Sequence, residues 1–110
     1  MTTRPLLELD PAWLILEGRR VGFMFRSPKD PQWFQIVLAE PVNQRREQWR
    51  LAAEAVPDSK SQTAGPGVVW TFEGGIDAGD FSTLTVFPSV DGSAGGLWHG
   101  WIQNGEARDA

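Results

Sequence analysis

The sequence predicts an α+β domain that is mostly β: a small antiparallel sheet or two-layer sandwich of about six strands with one helix. Three observations carry this. Short apolar runs with a period of two are separated by clusters of Gly, Pro and Asp. One segment alone, from Pro41 to Val56, switches to helical spacing. The 110 residues fit a single domain, residues 1–110, which buries roughly 65% of the surface its unfolded chain exposes.

Residues 13–16, Trp-Leu-Ile-Leu, form the first apolar run, and Glu17-Gly18-Arg19-Arg20 reads as a four-residue turn. Val21, Phe23 and Phe25 then alternate with Gly22, Met24 and Arg26, the pattern of a half-buried strand. Pro28 and Pro31 each remove a backbone donor and break the ladder. Residues 33–39 are rich in aromatic and β-branched side chains and read as a third strand.

After Pro41 the period changes. Asn43 is placed to cap a helix, Glu47 falls in its first turn, and Pro57 stops it. Val42, Trp49, Ala52, Ala53 and Val56 recur at helical intervals, so that face is expected to be buried. Residues 57–67 carry no large apolar group and read as a mobile internal loop, open to proteolysis near Lys60.

The remaining strands are expected over 68–72, 82–87 and 97–103, separated by Gly- and Asp-containing loops over 73–80 and 91–96. Asn104-Gly105 is a two-residue turn signal, so Glu106 and Ala107 begin a short return strand. In the 97–103 strand, Trp98, Gly100 and Ile102 face one way, and His99 and Trp101 the other.

Composition limits the chemistry. There is no Cys, which excludes disulfides, thiolate nucleophiles and thiolate metal sites, and the one His is His99. A small domain without such staples is expected in a reducing compartment, so the cytoplasm is the expected location. The apolar stretch before Asp10 is too short for a signal-peptide core, and no run approaches the ~20 residues of a membrane helix. Residues 1–56 carry eight Lys/Arg against seven Asp/Glu, whereas residues 57–110 carry two against seven. That acidic second half disfavours general contact with a phosphate backbone and suits docking on a basic protein surface.

Several clusters could carry function. Arg45, Arg46 and Arg50 with Trp49 form a basic-aromatic group on the helix, suited to a phosphate or an acidic protein, or simply to a solvated face. Asp77, Asp80 and Asp91 lie in Gly-containing loops but lack calcium-loop spacing, so turn formation is their simpler role. Gly92-Ser93-Ala94-Gly95-Gly96 is followed by a strand rather than a helix and cannot cradle phosphate. His99 beside Trp101 could act as a general base with a loop carboxylate, or be a structural histidine.

Three segments carry a family resemblance: Phe25-Arg26-Ser27-Pro28; Trp70-Thr71-Phe72-Glu73-Gly74 with Thr83-Leu84 and Pro88-Ser89-Val90; and His99-Gly100-Trp101-Ile102-Gln103-Asn104-Gly105-Glu106. In this order they resemble a family of short phage and bacterial proteins of uncharacterised function, sometimes mislabelled as ammonia monooxygenase. Its pattern runs Phe-x-Cys-Pro, Trp-x-Phe/Trp-x-Gly, Thr-Leu-x-Pro-Ser-Ile/Val, then Cys-His-x-x-Ile-x-Asn/Asp-Gly. The likeness covers about residues 21–37 and 67–107 and leaves out the helix. Where the family has cysteines this chain has Ser27, Asp30 and Trp98, so of any ligand set only His99 remains, and one ligand holds no structural zinc. The resemblance implies a fold and a phage-like setting, not a mechanism; if the family's cysteines bind zinc, packing around Trp98 must here stabilise what a metal would tie.

The function expected from all this is a small non-catalytic binding protein, phage-encoded, that occupies a host protein's surface, for instance to inhibit a defence or regulatory complex. Arg45, Arg46, Trp49, Arg50, Asp77, Asp80 and Asp91 are its contact candidates, with a host or phage protein as partner; the oligomeric state is left open, a homodimer included. No cofactor, metal or membrane is expected. Two alternatives stand: nucleic-acid or nucleotide contact through the basic helix, and an enzyme using His99 with a loop carboxylate.

Overall fold

The computed structural model describes residues 2–110. Glu17 and Gly18 both adopt positive φ, 52° and 78°, the conformation of a tight type I′ turn. The turn is therefore two residues long rather than four, and Arg19 and Arg20 belong to the strand that follows. It joins strand β2 (Ala12–Leu16) to β3 (Arg19–Arg26). Leu14 pairs with Gly22 but Ile15 pairs with Arg20, which leaves Val21 as an extra, bulged residue. The bulge turns Val21 to the same side as Met24, while Phe23 and Phe25 point to the opposite face. Gly22 is needed here, since a Cβ at this position would run into the Val37 carbonyl and the Leu38 backbone of the neighbouring strand.

That neighbour is β4 (Trp33–Leu38), antiparallel to β3. Helix α1 (Arg45–Ala55) leads from it to β5 (Lys60–Gln62), which returns parallel to β4. A parallel return needs such a crossover. The first sheet thus runs β2-β3-β4-β5. The helix packs Leu51 and Ala52 onto Leu14, Val21, Met24, Phe34, Ile36 and Leu38. β3 and β4 are consequently covered on both faces, more than the half-buried pattern of β3 implied.

Two expectations about the helix are corrected. Asn43 does not cap it: Gln44 occupies the cap position without a side-chain bond, and Asn43 Oδ1 accepts from the Gly67 amide at 2.8 Å. The buried stripe runs through Gln48, Leu51, Ala52 and the half-buried Ala55, so Trp49 stands about 100° away and remains 48% exposed. Ala53 is likewise exposed. A polar residue sits at the centre of the buried face, which is why apolar periodicity selected the wrong stripe.

Gln48 also explains the fate of residues 57–67, which do not form a free loop. Its Nε2 donates to the carbonyls of Val42 (2.7 Å) and Ala64 (2.9 Å), and its Oε1 accepts from the Ala64 amide (2.8 Å). With β5 in the sheet and Ser61 and Ala64 buried, the segment is docked against the helix.

The second sheet runs β1-β10-β9-β8, from β1 (Thr3–Pro5), β8 (Val90–Asp91), β9 (His99–Gln103) and β10 (Glu106–Asp109). Asn104 and Gly105, at φ 49° and 74°, make the two-residue turn between β9 and β10 that the sequence signals. A two-stranded ribbon, β6 (Thr71–Phe72) with β7 (Val86–Phe87), closes one side. The strands expected over 68–72 and 82–87 are shortened to this ribbon: Val68 and Val69 stay exposed, and Ser82 and Thr83 are engaged with Asp80. Among the described residues ten strand segments, several of two or three residues, replace the roughly six expected, within the predicted mostly β class.

The two four-stranded sheets share a core in which Phe23, Phe25 and Val37 meet Val90, Trp98, Ile102 and Ala107. Trp98 meets Phe25 edge to face at 5.7 Å. Gln35, also buried, grips the Trp98 backbone at both ends: its Nε2 donates to the carbonyl and its Oε1 accepts from the amide, each at 3.0 Å. Ser27 Oγ shares that amide at 3.3 Å. Ser27 and Trp98, 71 residues apart in sequence, therefore meet through a hydrogen bond. No buried side-chain polar atom among the described residues lacks a partner. No helix among them is long and apolar enough to cross a membrane.

Candidate functional site

One groove of about 680 Å³ opens where the first sheet's β5 edge meets the β8 turn. Arg45 and Trp49 of α1 line it with residues 61–65 and 68–70, and residues 88–92 form the facing wall. Trp49 Nε1 donates to the Ser61 carbonyl at 3.2 Å, so its half-exposed ring is held in place. Trp70 Nε1 reaches across to the Ser89 carbonyl at 3.2 Å, and Gln62 Nε2 to the Gly92 carbonyl at 3.3 Å. These last two bonds fix the two walls against each other. Val68 and Val69, 42% and 40% exposed, belong to the same lining as Trp49. The outward backbone of β5 is short and its Ser61 carbonyl is already taken by Trp49, so side chains rather than a bare sheet edge define the groove.

The sequence-derived candidates separate. Arg45, Trp49 and Asp91 come together on the groove. Arg46 is exposed beside it, in a shallow depression with Asn43, Gln44 and Arg45. Arg50 is held by Glu47 and by Glu54, the latter at 2.6 Å. The hydrogen bond from Arg50 is the main reason the Glu47 carboxyl lies below its ordinary range, and the same contact pushes the Arg50 guanidinium up. Arg50 is thus the committed member of the basic cluster. Arg45 and Arg46 make no ion pair among the described residues.

Asp77 and Asp80 belong to a different region. Asp80 Oδ1 accepts from the amide of Ser82 at 2.8 Å and from its hydroxyl, and the hydroxyl bond is the first cause of its lowered pKa. This turn lies next to Phe81, which stacks on Trp13 at 4.4 Å under the guanidinium of Arg20. Asp77 is exposed. Asp91 also serves a turn: its Oδ1 accepts from Ser93 Oγ at 2.6 Å and from the Ser93 amide at 2.9 Å. These bonds, the hydroxyl's first, lower its pKa, and the nearby charge of His99 adds to them.

His99 and Trp101 lie on the outward face of β9, as their alternation predicts, with ring centroids 6.4 Å apart. His99 faces Asp91 across the β8–β9 pair, and its Nε2 lies 3.2 Å from Ser89 Oγ. The imidazole therefore stands between a hydroxyl and a carboxylate, but that carboxylate is already committed to Ser93, and the ring is exposed rather than part of the groove lining. Asp30 makes a local turn, accepting the Trp33 amide on its carbonyl at 2.9 Å. Among the described residues no group of three or more His, Cys, Asp or Glu could hold a metal ion.

Val68, Val69, Ser61 and Trp70 were not legible as site residues. Two valines before a Trp read as a buried strand, and the only hint otherwise was the Gly-Pro-Gly run immediately before them. No family model, curated protein or solved structure matches this chain.

Proposed function

We propose that this chain is a small cytoplasmic binding protein that engages a host or phage protein through the groove between α1 and β8. The observation that carries it is the exposed Trp49, pinned by Ser61, which lines one concave surface together with the exposed Val68 and Val69. A fixed aromatic ring loses little side-chain freedom on binding, and desolvated Trp residues often dominate interface energies. Occupation of a partner's surface, with inhibition as the consequence, needs no reacting group in this groove. The phage-like setting comes from the resemblance of residues 21–37 and 67–107.

A test uses the wild-type chain and a Val69→Asp variant as baits in host lysate. Val69 is exposed, so the change should alter stability by no more than about 0.5 kcal/mol. The expected result is a protein retained by the wild type and lost by the variant. Equal capture by both would exclude the groove as the contact surface.

The unpaired Arg45 and Arg46 favour a second reading, contact with nucleic acid. Two cations neutralise few phosphates, and Asp91 on the opposite wall opposes them. Protein contact is the better fit.

A further inference from the structure

The groove's hydrogen-bonding inventory narrows its occupant. Trp49 and Trp70 have each given their single N–H to a carbonyl of the chain, so they offer an occupant ring surface and no donor. Val68 and Val69 add aliphatic surface to the same groove. Val69 makes no backbone hydrogen bond among the described residues, leaving a donor and an acceptor open to a chain lying alongside. Charge is asymmetric. Arg19, Arg26 and Arg50 all have carboxylate partners, whereas Arg45, on the groove, has none. The carboxylate across from it, Asp91, has Ser93 as its hydrogen-bond partner.

We infer that the groove takes an extended peptide segment bearing an acidic residue against Arg45 and one or two aliphatic or aromatic residues against Trp49, Val68 and Val69. This rests on the groove being the binding surface. An oligonucleotide also offers flat rings and negative charge, but it brings a phosphate at every step to a surface with one lining arginine and one lining aspartate. A peptide needs a single acidic group, and its own amides match the free backbone of Val69.

A random heptapeptide display library panned on the full chain tests this. The expected winners carry Asp or Glu within three positions of Leu, Ile, Phe or Trp. A labelled winner should bind wild type and lose about tenfold or more with Arg45→Glu and with Trp49→Ala. Arg45 is exposed in the first helical turn, where an acidic side chain suits the helix dipole, so Arg45→Glu should remain folded. Val69→Asp provides a second groove variant should Trp49→Ala lower stability. Winners that depend on Trp49 or Val69 yet show no acidic preference, or resist Arg45→Glu, would overturn the inference and leave the groove intact. Absence of any groove-dependent winner would overturn both. Binding of a labelled oligo-dT lost in Arg45→Glu, in place of peptide binding, would overturn the inference in favour of nucleic acid.

Discussion

Replacing Gln48 by Leu keeps the size of a buried side chain and removes three hydrogen bonds, to the Val42 carbonyl and to both backbone groups of Ala64. Each backbone group left buried without a partner costs about 1–3 kcal/mol. Three such groups total about 3–9 kcal/mol. Burying an apolar side chain recovers part of this, about 1.5–3 kcal/mol. The net loss therefore lies within about 0–7.5 kcal/mol; a central value of about 3–4 kcal/mol is a large share of the 5–15 kcal/mol typical of a domain. At a urea slope of about 1.5 kcal/mol/M the midpoint should fall by about 2 M. The damage should also be local: residues 57–67 lose their tie to the helix, so the Ala64 amide should exchange faster and trypsin should cut first at Lys60. Gln44→Leu, at an exposed position without a side-chain bond to the helix, is the control and should move stability by no more than about 0.5 kcal/mol. A Gln48→Leu midpoint within 0.3 M of wild type, roughly the scatter of about 0.5 kcal/mol set for neutral changes, with Lys60 still protected, would refute the argument that this amide docks the segment.

Three further outcomes follow. Trp49→Ala should cost only about 1–2 kcal/mol in urea unfolding, because half of the ring is already in water and no closed cavity forms, whereas Leu51→Ala should cost about 2–5 kcal/mol; equal losses would contradict the assigned helix faces. Gly22→Ala should be more damaging than either, since its Cβ meets β4 backbone rather than a movable side chain; a well-folded variant by near-UV circular dichroism would contradict the close approach. The Asp91 carboxyl is held down chiefly by the Ser93 hydroxyl, so its contribution to the turn is complete above the unfolded aspartate pKa, about 3.9, and is lost as pH falls through the lower folded value. The Ser93 amide shift followed by NMR should therefore titrate below that unfolded value; a midpoint above it would reverse the sign.

The sequence made the local features legible where one residue type settles the backbone. Asn104-Gly105 gave its turn, and the outward placement of His99 and Trp101 followed from simple alternation. The strand cores of β2, β3 and β4 and the existence of one helix were also readable from apolar spacing. What was not legible depends on polar groups in the interior. Gln48 and Gln35 look like surface residues, yet each is buried because three or two backbone partners converge on its amide from distant segments. Without Gln48 in the buried stripe, Trp49 takes its place on paper, and the docked segment looks free. The groove was half visible: Arg45, Trp49 and Asp91 were candidates for separate reasons, and only the fold brings them onto one surface. Arg50, Asp77 and Asp80 matched by residue type but are placed elsewhere or held by local partners.

The most direct measurement of the central claim is a ¹⁵N chemical-shift map of the full chain, indole resonances included, recorded as the captured partner or a selected peptide is added. Binding in the groove should shift the Trp49 indole, the amides of Val68, Val69 and Trp70, and those of Gly92 to Gly95, leaving Asp77 to Asp80 and the Trp101 indole unchanged. Shifts centred on His99 and Trp101 or on the Asp77–Asp80 turn, with the Trp49 indole unmoved at saturation, would contradict it.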